Sequence, residues 1–371
     1  MNYKHKYAKY KTKYLELKKI KINNQLGGAK NVFIGKMNKL TQELNSNYGI
    51  IISKNNKIIY EKYVGNDKNT RFRIFSCSKP INALAIFLLA QQNKLKLTDT
   101  LDNFCINIPY NDKISINHLL NHSSGIYDFS SELYFNLNPR KMFYEILEEN
   151  ETKFIDFETA ITEINKNKPY FKPKKDPFEV DLKNYNNTAY DILAYIIYLV
   201  SGMKTDEFIK QNIFNKLKMR DSGFQYENHP NESIPYENNK KQSIKEQQNW
   251  YCCNAQIVCT IRDYNKFLTN YEKLLNKKYL VIYQKLYFFG ETRKNNKKYN
   301  YFYVIGGGDF SHNHSKGKEK YNTLSNTMMV KFYNKEDEIN IIMSENYQNT
   351  NGFFQNNWKN WNYMIDNIIK F

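Results

Sequence analysis

Two hydrophobic periods alternate along the chain, and each marks its own set of elements. Near the start, GIIISKNNKIIYEKYVG holds two β-rich runs on either side of Asn55-Asn56, a hairpin signal. Similar runs return at 301–305, 327–333 and 339–344. Apolar residues at helical spacing predict helices over 32–44, from Ser76 to about Asn93, over 188–200 and 205–216, and at 358–369. Residues 131–180 are mixed and lysine-rich, with Pro169, Pro173 and Pro177 interrupting their latter part, and 225–250 read as a polar loop. Strand signals at both ends with helical signals between them predict an α/β fold, one sheet formed by the two terminal parts and carrying a helical insert.

Composition adds little to this until charge is considered. The longest apolar candidate, residues 192–200, is half the roughly 18 residues of a membrane span and carries tyrosines, so it reads as a buried helix. With 371 residues, 41% hydrophobic and 16% aromatic, the chain is expected to be globular with a large core. Its formal net charge is +18, but residues 1–22 carry eight lysines against one acid, Glu16, and so supply +7 of it. Tyr3, Tyr7, Tyr10 and Tyr14 recur there at helical spacing before Gly27-Gly28 end the pattern, which sets a basic arm over 1–28 apart from a domain over 29–371. That arm reads either as a solvated helix or disordered segment, or as a contact for a virion or a nucleic acid. In the rest of the chain an excess of Lys, Asn, Ile and Tyr, as AT-rich coding gives, is a sufficient source of charge. No aromatic-basic reading motif accompanies it. The five cysteines are odd in number without framework or zinc spacing, and the N-terminus lacks the apolar stretch of a signal peptide. An intracellular, reducing setting is the expectation.

Candidate chemistry begins at FSCSKPINA. Ser-x-x-Lys occurs three times, at Ser76/Lys79, Ser201/Lys204 and Ser315/Lys318, and context separates the copies. The latter two sit near glycines in polar connecting stretches. Ser76 instead lies between the apolar run Phe72, Ile74, Phe75 and the apolar positions that follow Pro80, at the expected start of a helix. Residues three apart share a helical face, so Lys79 reaches the Ser76 hydroxyl, and the helix N-terminus offers N–H groups to an oxyanion. A serine needs a base to act as a nucleophile, and a lysine serves only when unprotonated, so a second proton-handling group would help. Tyr185-Asn186-Asn187 is the candidate. Of five Tyr-x-Asn copies, it alone stands between the proline-rich stretch and a long apolar helix.

At this point three segments together resemble a known family. FRIFSCSKPINALAIFLLAQQNKLKLTDTL, INHLLNHSSGI and YNNTAYDILAYIIYLVSGMKTDEFIKQNIFNKLKMRDSGF are similar, in order and spacing, to landmarks of the serine β-lactamase/penicillin-binding-protein superfamily, in the branch of class C β-lactamases, DD-peptidases and esterases. CNAQIVCTIRDYNKFL resembles a later segment of the same family, and the similarity runs from about residue 32 to the end. The basic opening and the residue bias also resemble those of many proteins of mimivirus-like giant viruses. The resemblance implies a β-lactamase-like α/β fold: an antiparallel sheet from the N- and C-terminal parts, flanked by helices, with a mainly helical insert over about 94–260. It implies Ser76 as the acylated nucleophile, Lys79 as its base or relay, Tyr185 as second proton carrier and Asn187 as the group orienting Lys79 and the substrate amide. No cofactor or metal is implied.

One motif departs from the family's pattern. The strand that lines the cleft commonly carries Lys-Thr-Gly or His-x-Gly, whereas the matching YFYVIGGGDFSHNH puts Ile305-Gly306-Gly307 there, with Gly308 as second oxyanion donor. Small residues still let backbone approach substrate, but the cation or imidazole that helps bind a substrate carboxylate is replaced by Ile305. Lys316 or Lys318 is a candidate substitute. His312 and His314 show no third metal ligand by spacing, Gly317-Lys318-Glu319 is not a phosphate loop, and His118 and His122 read as structural. The expectation is a serine hydrolase for a small-molecule or peptide ester or amide (a β-lactam, a D-amino-acid peptide or ester), in the host cytoplasm or the virion. The alternative is a catalytically weakened fold kept as a binding or virion structural protein.

Overall fold

The computed structural model describes residues 31–39, 41, 47–130, 157–225, 227, 229–233, 236–237, 240–241, 256–286, 290–294, 297–307 and 323–346. The basic arm over 1–28 and the expected helix over 358–369 lie outside them. The chain divides into two compact units, one of Ser46–Thr292 with Tyr299–Thr350, the other of Met1–Asn45, Arg293–Lys298 and Asn351–Phe371. In the latter, residues 31–39 form a helix in which Phe33 and Met37, four apart, are buried.

The larger unit opens with the expected hairpin. β1 (Asn47–Lys54) and β2 (Lys57–Val64) pair antiparallel. Asn55 and Asn56 take φ of 49° and 64°, left-handed values that asparagine tolerates in a tight turn. β3 (Arg71–Arg73) then leads through a 3-10 turn, Phe75–Ser78, into α1 (Lys79–Gln91). Lys79 to Ala90 are all buried, as a helix apolar on every face requires, and Pro80 sits in the first turn. Two later tyrosines tie down its N-terminal end. Tyr264 Oη donates to Cys77 O at 2.7 Å, and Tyr283 Oη to Pro80 O at 2.8 Å.

α2 (Ile116–Leu120) starts on a reciprocal cap, where His118 Nδ1 accepts the Ser115 N–H at 3.1 Å. The other ring nitrogen of His118 lies 2.8 Å from Lys174 O, so this histidine is structural, in line with its sequence reading. α3 (Phe157–Lys166) falls in the stretch that read as mixed; it buries Thr159, Ala160, Glu163 and Ile164 along one face. Beyond it a proline-broken strap over 167–185 is laid on the loop after α2. Tyr170 N–H donates to Gly125 O at 2.8 Å, Lys174 N–H to Ser123 O at 3.1 Å, and Ser123 Oγ to Pro177 O at 2.8 Å.

α4 (Asn187–Ser201) packs on α1 and ends at Gly202, whose φ of 71° is left-handed. α5 (Thr205–Ile209) continues as one π turn, Lys210–Phe214, inside the helix expected over 205–216. β4 (Ser222–Phe224) and β5 (Glu232–Ser233) follow, then the hairpin β6 (Tyr236–Glu237) and β7 (Lys240–Lys241), and β8 (Ile257–Thr260). The loop reading of 225–250 missed β5 to β7, whose two-residue strands leave no periodicity to detect. A small sheet of order β4-β8-β3-β5 supports the approach to α1, pinned by a buried Arg73–Glu232 ion pair at 2.6 Å.

α6 (Ile261–Asn270) and α7 (Lys277–Leu286) precede β9 (Gly290–Lys294), β10 (Lys297–Gly307), β11 (Thr323–Tyr333) and β12 (Glu338–Asn346). The main sheet runs β2-β1-β12-β11-β10-β9, with Ile51 opposite Ile342 and Gly306 opposite Thr327. The β-lactamase-like architecture expected from the sequence is therefore present: an antiparallel sheet drawn from both ends of the chain, flanked by helices. Among the described residues no helix is long and apolar enough to cross a membrane.

Gly125 is the point where the strap has no tolerance. Its φ is +72°, and a Cβ built there would lie 2.1 Å from Phe171 O. Gly125→Ala is therefore expected to cost on the order of 3 kcal/mol, read as a lowered urea midpoint. An unchanged midpoint would show that the strap yields.

Candidate active site

Ser76 stands in the 3-10 turn ahead of α1, one residue after a strained position. Phe75 has φ of 45°, a conformation that a bulky side chain rarely adopts. The turn is fixed on several sides. Ile257 N–H donates to Ser78 Oγ at 3.3 Å, and Ile74 N–H to Ile257 O at 3.1 Å. Cys77 Sγ lies 3.5 Å from Val304 O and 3.4 Å from Thr327 O, which seats the residue after Ser76 against β10 and β11. Ser76 itself is half-buried.

Two donors converge on its hydroxyl. Lys79 Nζ is 3.1 Å from Ser76 Oγ, and Tyr185 Oη is 2.8 Å from it. Lys79 Nζ also donates to Asn187 Oδ1 at 2.7 Å. The ammonium is enclosed by rings as well, 4.9 Å from the Tyr185 centroid and 5.6 Å from that of Tyr190. Lys79 is buried, whereas Tyr185 is 38% exposed at the open edge of the site. Among the described residues no carboxylate forms an ion pair with Lys79.

The N-terminus of α4 presents Asn187. Asn186 caps it, its Oδ1 accepting the Ala189 N–H at 2.8 Å while its Nδ2 donates to Ile126 O at 2.8 Å. Behind Asn187 the buried Asp128 carboxylate accepts the N–H groups of Asn187 and Thr188 at 3.1 and 2.9 Å and the Thr188 hydroxyl at 3.0 Å. A negative charge at a helix N-terminus is stabilising, so Asp128 fixes the turn that carries Asn187. Ser130 donates to Asp191 one turn further in.

Of the residues expected from sequence, Tyr185, Ser76, Lys79 and Asn187 are joined in that order by a chain of hydrogen bonds. Gly306 and Gly307 lie on β10 with Thr327 and Asn326 as cross-strand partners, and Gly308 lies outside the described residues, as do His312, His314, Lys316 and Lys318. Ser201 does not meet Lys204; its hydroxyl donates to Met203 O at 3.3 Å and accepts the Met203 N–H at 3.1 Å. Sequence reasoning missed Asp128, a single acid with no local signal. It also missed Tyr190 and the part played by His122, which belongs to this site as well as to the loop.

The His122 ring lies against both site tyrosines, with centroids 4.5 Å from Tyr185 and 5.2 Å from Tyr190. Burial, then the nearby Lys79 charge, lower its pKa to about 3, partly opposed by its backbone contact with Asn186. An unfolded histidine titrates near 6.5. Between those values the unfolded chain takes up a proton that the folded chain does not, so folded-state stability falls as pH drops through that window. His122→Phe removes this contribution. Its urea midpoint is expected to fall less than that of the wild type between pH 7 and pH 4, and equal falls would contradict a neutral His122.

Comparisons with known proteins bear on the family and the fold. The sequence model of the family described as Beta-lactamase matches residues 39–304. A penicillin-binding protein of Bacillus subtilis (strain 168) is 33% identical over 149 residues, which cover 39% of this chain and 29% of that protein. This chain spans less than half the length of that protein and of two other curated relatives. Among solved structures, D-amino acid amidase from Ochrobactrum anthropi SV3 aligns with a TM-score of 0.64 at 16% identity, covering 93% of this chain and 98% of that one. FmtA from Staphylococcus aureus gives 0.63 at 18% identity, covering 91% and 90%. At such identities the likeness is one of fold.

Proposed function

The chain belongs to the beta-lactamase family, and we propose that it is a serine hydrolase working through an acyl-enzyme at Ser76. The observation that carries this reading is the convergence of Lys79 Nζ and Tyr185 Oη on Ser76 Oγ, at 3.1 and 2.8 Å. In the first half-reaction Ser76 Oγ attacks the carbonyl carbon of an ester or amide, and its proton passes to the Lys79–Tyr185 pair. One member of that pair must already lack its proton, and which one is a property of the coupled pair. The tetrahedral oxyanion is met by the Ser76 N–H at the start of the helix. Collapse breaks the bond to the leaving group, which takes a proton back from the pair. Water then attacks the acyl-enzyme, giving up its proton to the same pair, and Ser76 is regenerated. Asn187 holds Lys79 and offers its amide to the substrate.

Names among the relatives point to substrates of the D-amino-acid amide and β-lactam kind. With Ile305 where a cation commonly stands, an ester or amide without a free carboxylate suits the site best. The same Ile305 favours a second reading, a fold with weakened catalysis retained as a binding or virion structural protein.

Intact-protein mass spectrometry after exposure to a fluorophosphonate separates the two readings. A single adduct is expected on the wild type and none on Ser76→Ala, with labelling of Tyr185→Phe slowed about 100-fold. Folded wild type that stays unlabelled would overturn the hydrolase in favour of the binding protein. A penicillin adduct as well would mean that carboxylate recognition survives Ile305.

A further inference from the structure

Tyr185 has little to hold it. It is 38% exposed, and among the described residues its hydroxyl bonds to Ser76 alone, Lys79 Nζ lies 4.9 Å from its ring centroid and the aromatic ring beside it is that of His122. The imidazole is better anchored than the phenol it touches. It lies between the two tyrosine rings, tilted by 34° to Tyr185 and 32° to Tyr190, at separations where offset aromatic pairs attract. Tyr190 is fixed in turn, buried in α4 with its hydroxyl donating to Leu120 O at 3.1 Å. His122 Nδ1 sits 3.1 Å from both the N and the O of Asn186, the residue after Tyr185. Its own backbone is held at φ 56°, left-handed for a non-glycine residue, so the loop is bent to put the ring there. One side chain thus touches the Tyr185 ring and the backbone next to it.

We infer that His122 is a positioning residue for Tyr185, its ring serving as the wall that keeps the phenol oxygen within hydrogen-bond distance of Ser76 Oγ. The inference rests on the reading of Tyr185 as a proton carrier in acylation. The contacts of His122 are with Tyr185, Tyr190 and Asn186 rather than with Ser76, so it acts through the tyrosine. The ring face and the ring nitrogen make separable claims. Phenylalanine keeps the stacking surface and loses the bond to Asn186, whereas asparagine keeps an acceptor for the Asn186 N–H and loses the ring.

The test compares the rate of Ser76 labelling by a fluorophosphonate in wild type, His122→Phe and His122→Asn, each shown to be folded by its thermal midpoint. His122→Phe is expected to label within about threefold of wild type and His122→Asn about 100-fold more slowly, the scale on which a displaced group loses its effect. In a Tyr185→Phe background the asparagine change is expected to add almost nothing, because the two residues act as one. Wild-type rates in His122→Asn, or equal slowing in both variants, would overturn the assignment. Crystal structures of the two variants read the same claim without any reactivity, so that an unlabelled wild type, which sinks the hydrolase reading, leaves this one testable. Tyr185 Oη is expected to remain by Ser76 Oγ in the phenylalanine variant and to leave it in the asparagine variant; retention in both would refute the wall.

Discussion

A buried lysine, Lys79, with no ion-paired carboxylate among the described residues is the constraint that the site is built to satisfy. Taking an ammonium out of water costs several kcal/mol unless its protons are met. Among the described residues Lys79 Nζ meets Asn187 Oδ1 at 2.7 Å, Ser76 Oγ at 3.1 Å and the faces of Tyr185 and Tyr190. Asn187 and Tyr190 belong to α4, Tyr185 stands two residues before it, and Ser76 lies just before α1. The cost is therefore covered only when the N-terminal ends of two helices, more than a hundred residues apart in the chain, face each other. Together these groups form a cage around the Lys79 side chain.

Rigidity is distributed unequally around that cage. The turn bearing Ser76 is held by Tyr264 on Cys77 O, by Ile257 on Ser78, and by the seat of Cys77 Sγ on β10 and β11. Asn187 is held from behind by Asp128. Tyr185 is the exposed member, reached by the strap that Gly125 allows to lie close. Ser76 and Lys79 are fixed by the core, and Tyr185 is fixed by side-chain packing at the rim. Under the proposed function, that division suits a group that must meet both the serine inside and a leaving group arriving from outside.

How much of this was legible in the sequence depended on whether the signal was local. The β1–β2 hairpin, α1 and α4 were written in periodicity, turn residues and a first-turn proline, and all three appear close to their expected places. Ser76 and Lys79 were legible because one helical turn brings them together. Tyr185 was one of five similar tripeptides, separated only by its neighbours and by the family resemblance. Asp128, Tyr190 and the site contact of His122 were not legible, since each acts through a residue far along the chain and none belongs to a repeating pattern. The helix α3 escaped for a different reason. Its ten residues follow a stretch with no clear period, and short amphipathic helices depend on the surface they pack against for most of their stability.

The altered third motif is best understood through what surrounds it. Gly306 pairs with Thr327, whose hydroxyl reaches Arg73 O at 3.3 Å and lies 2.7 Å from Ser344 Oγ, so the backbone of this strand pair is tied to the approach to Ser76 and to β12. Val304 O, one residue before Ile305, meets Cys77 Sγ. The frame that would set the distance between nucleophile and cleft strand is thus independent of which side chain stands at 305. Under the proposed acyl transfer, isoleucine in place of a cation there removes an attraction for anionic substrates and leaves this backbone frame alone, so it bears on which acyl donors are favoured more than on the contacts that Lys79 and Tyr185 make with Ser76.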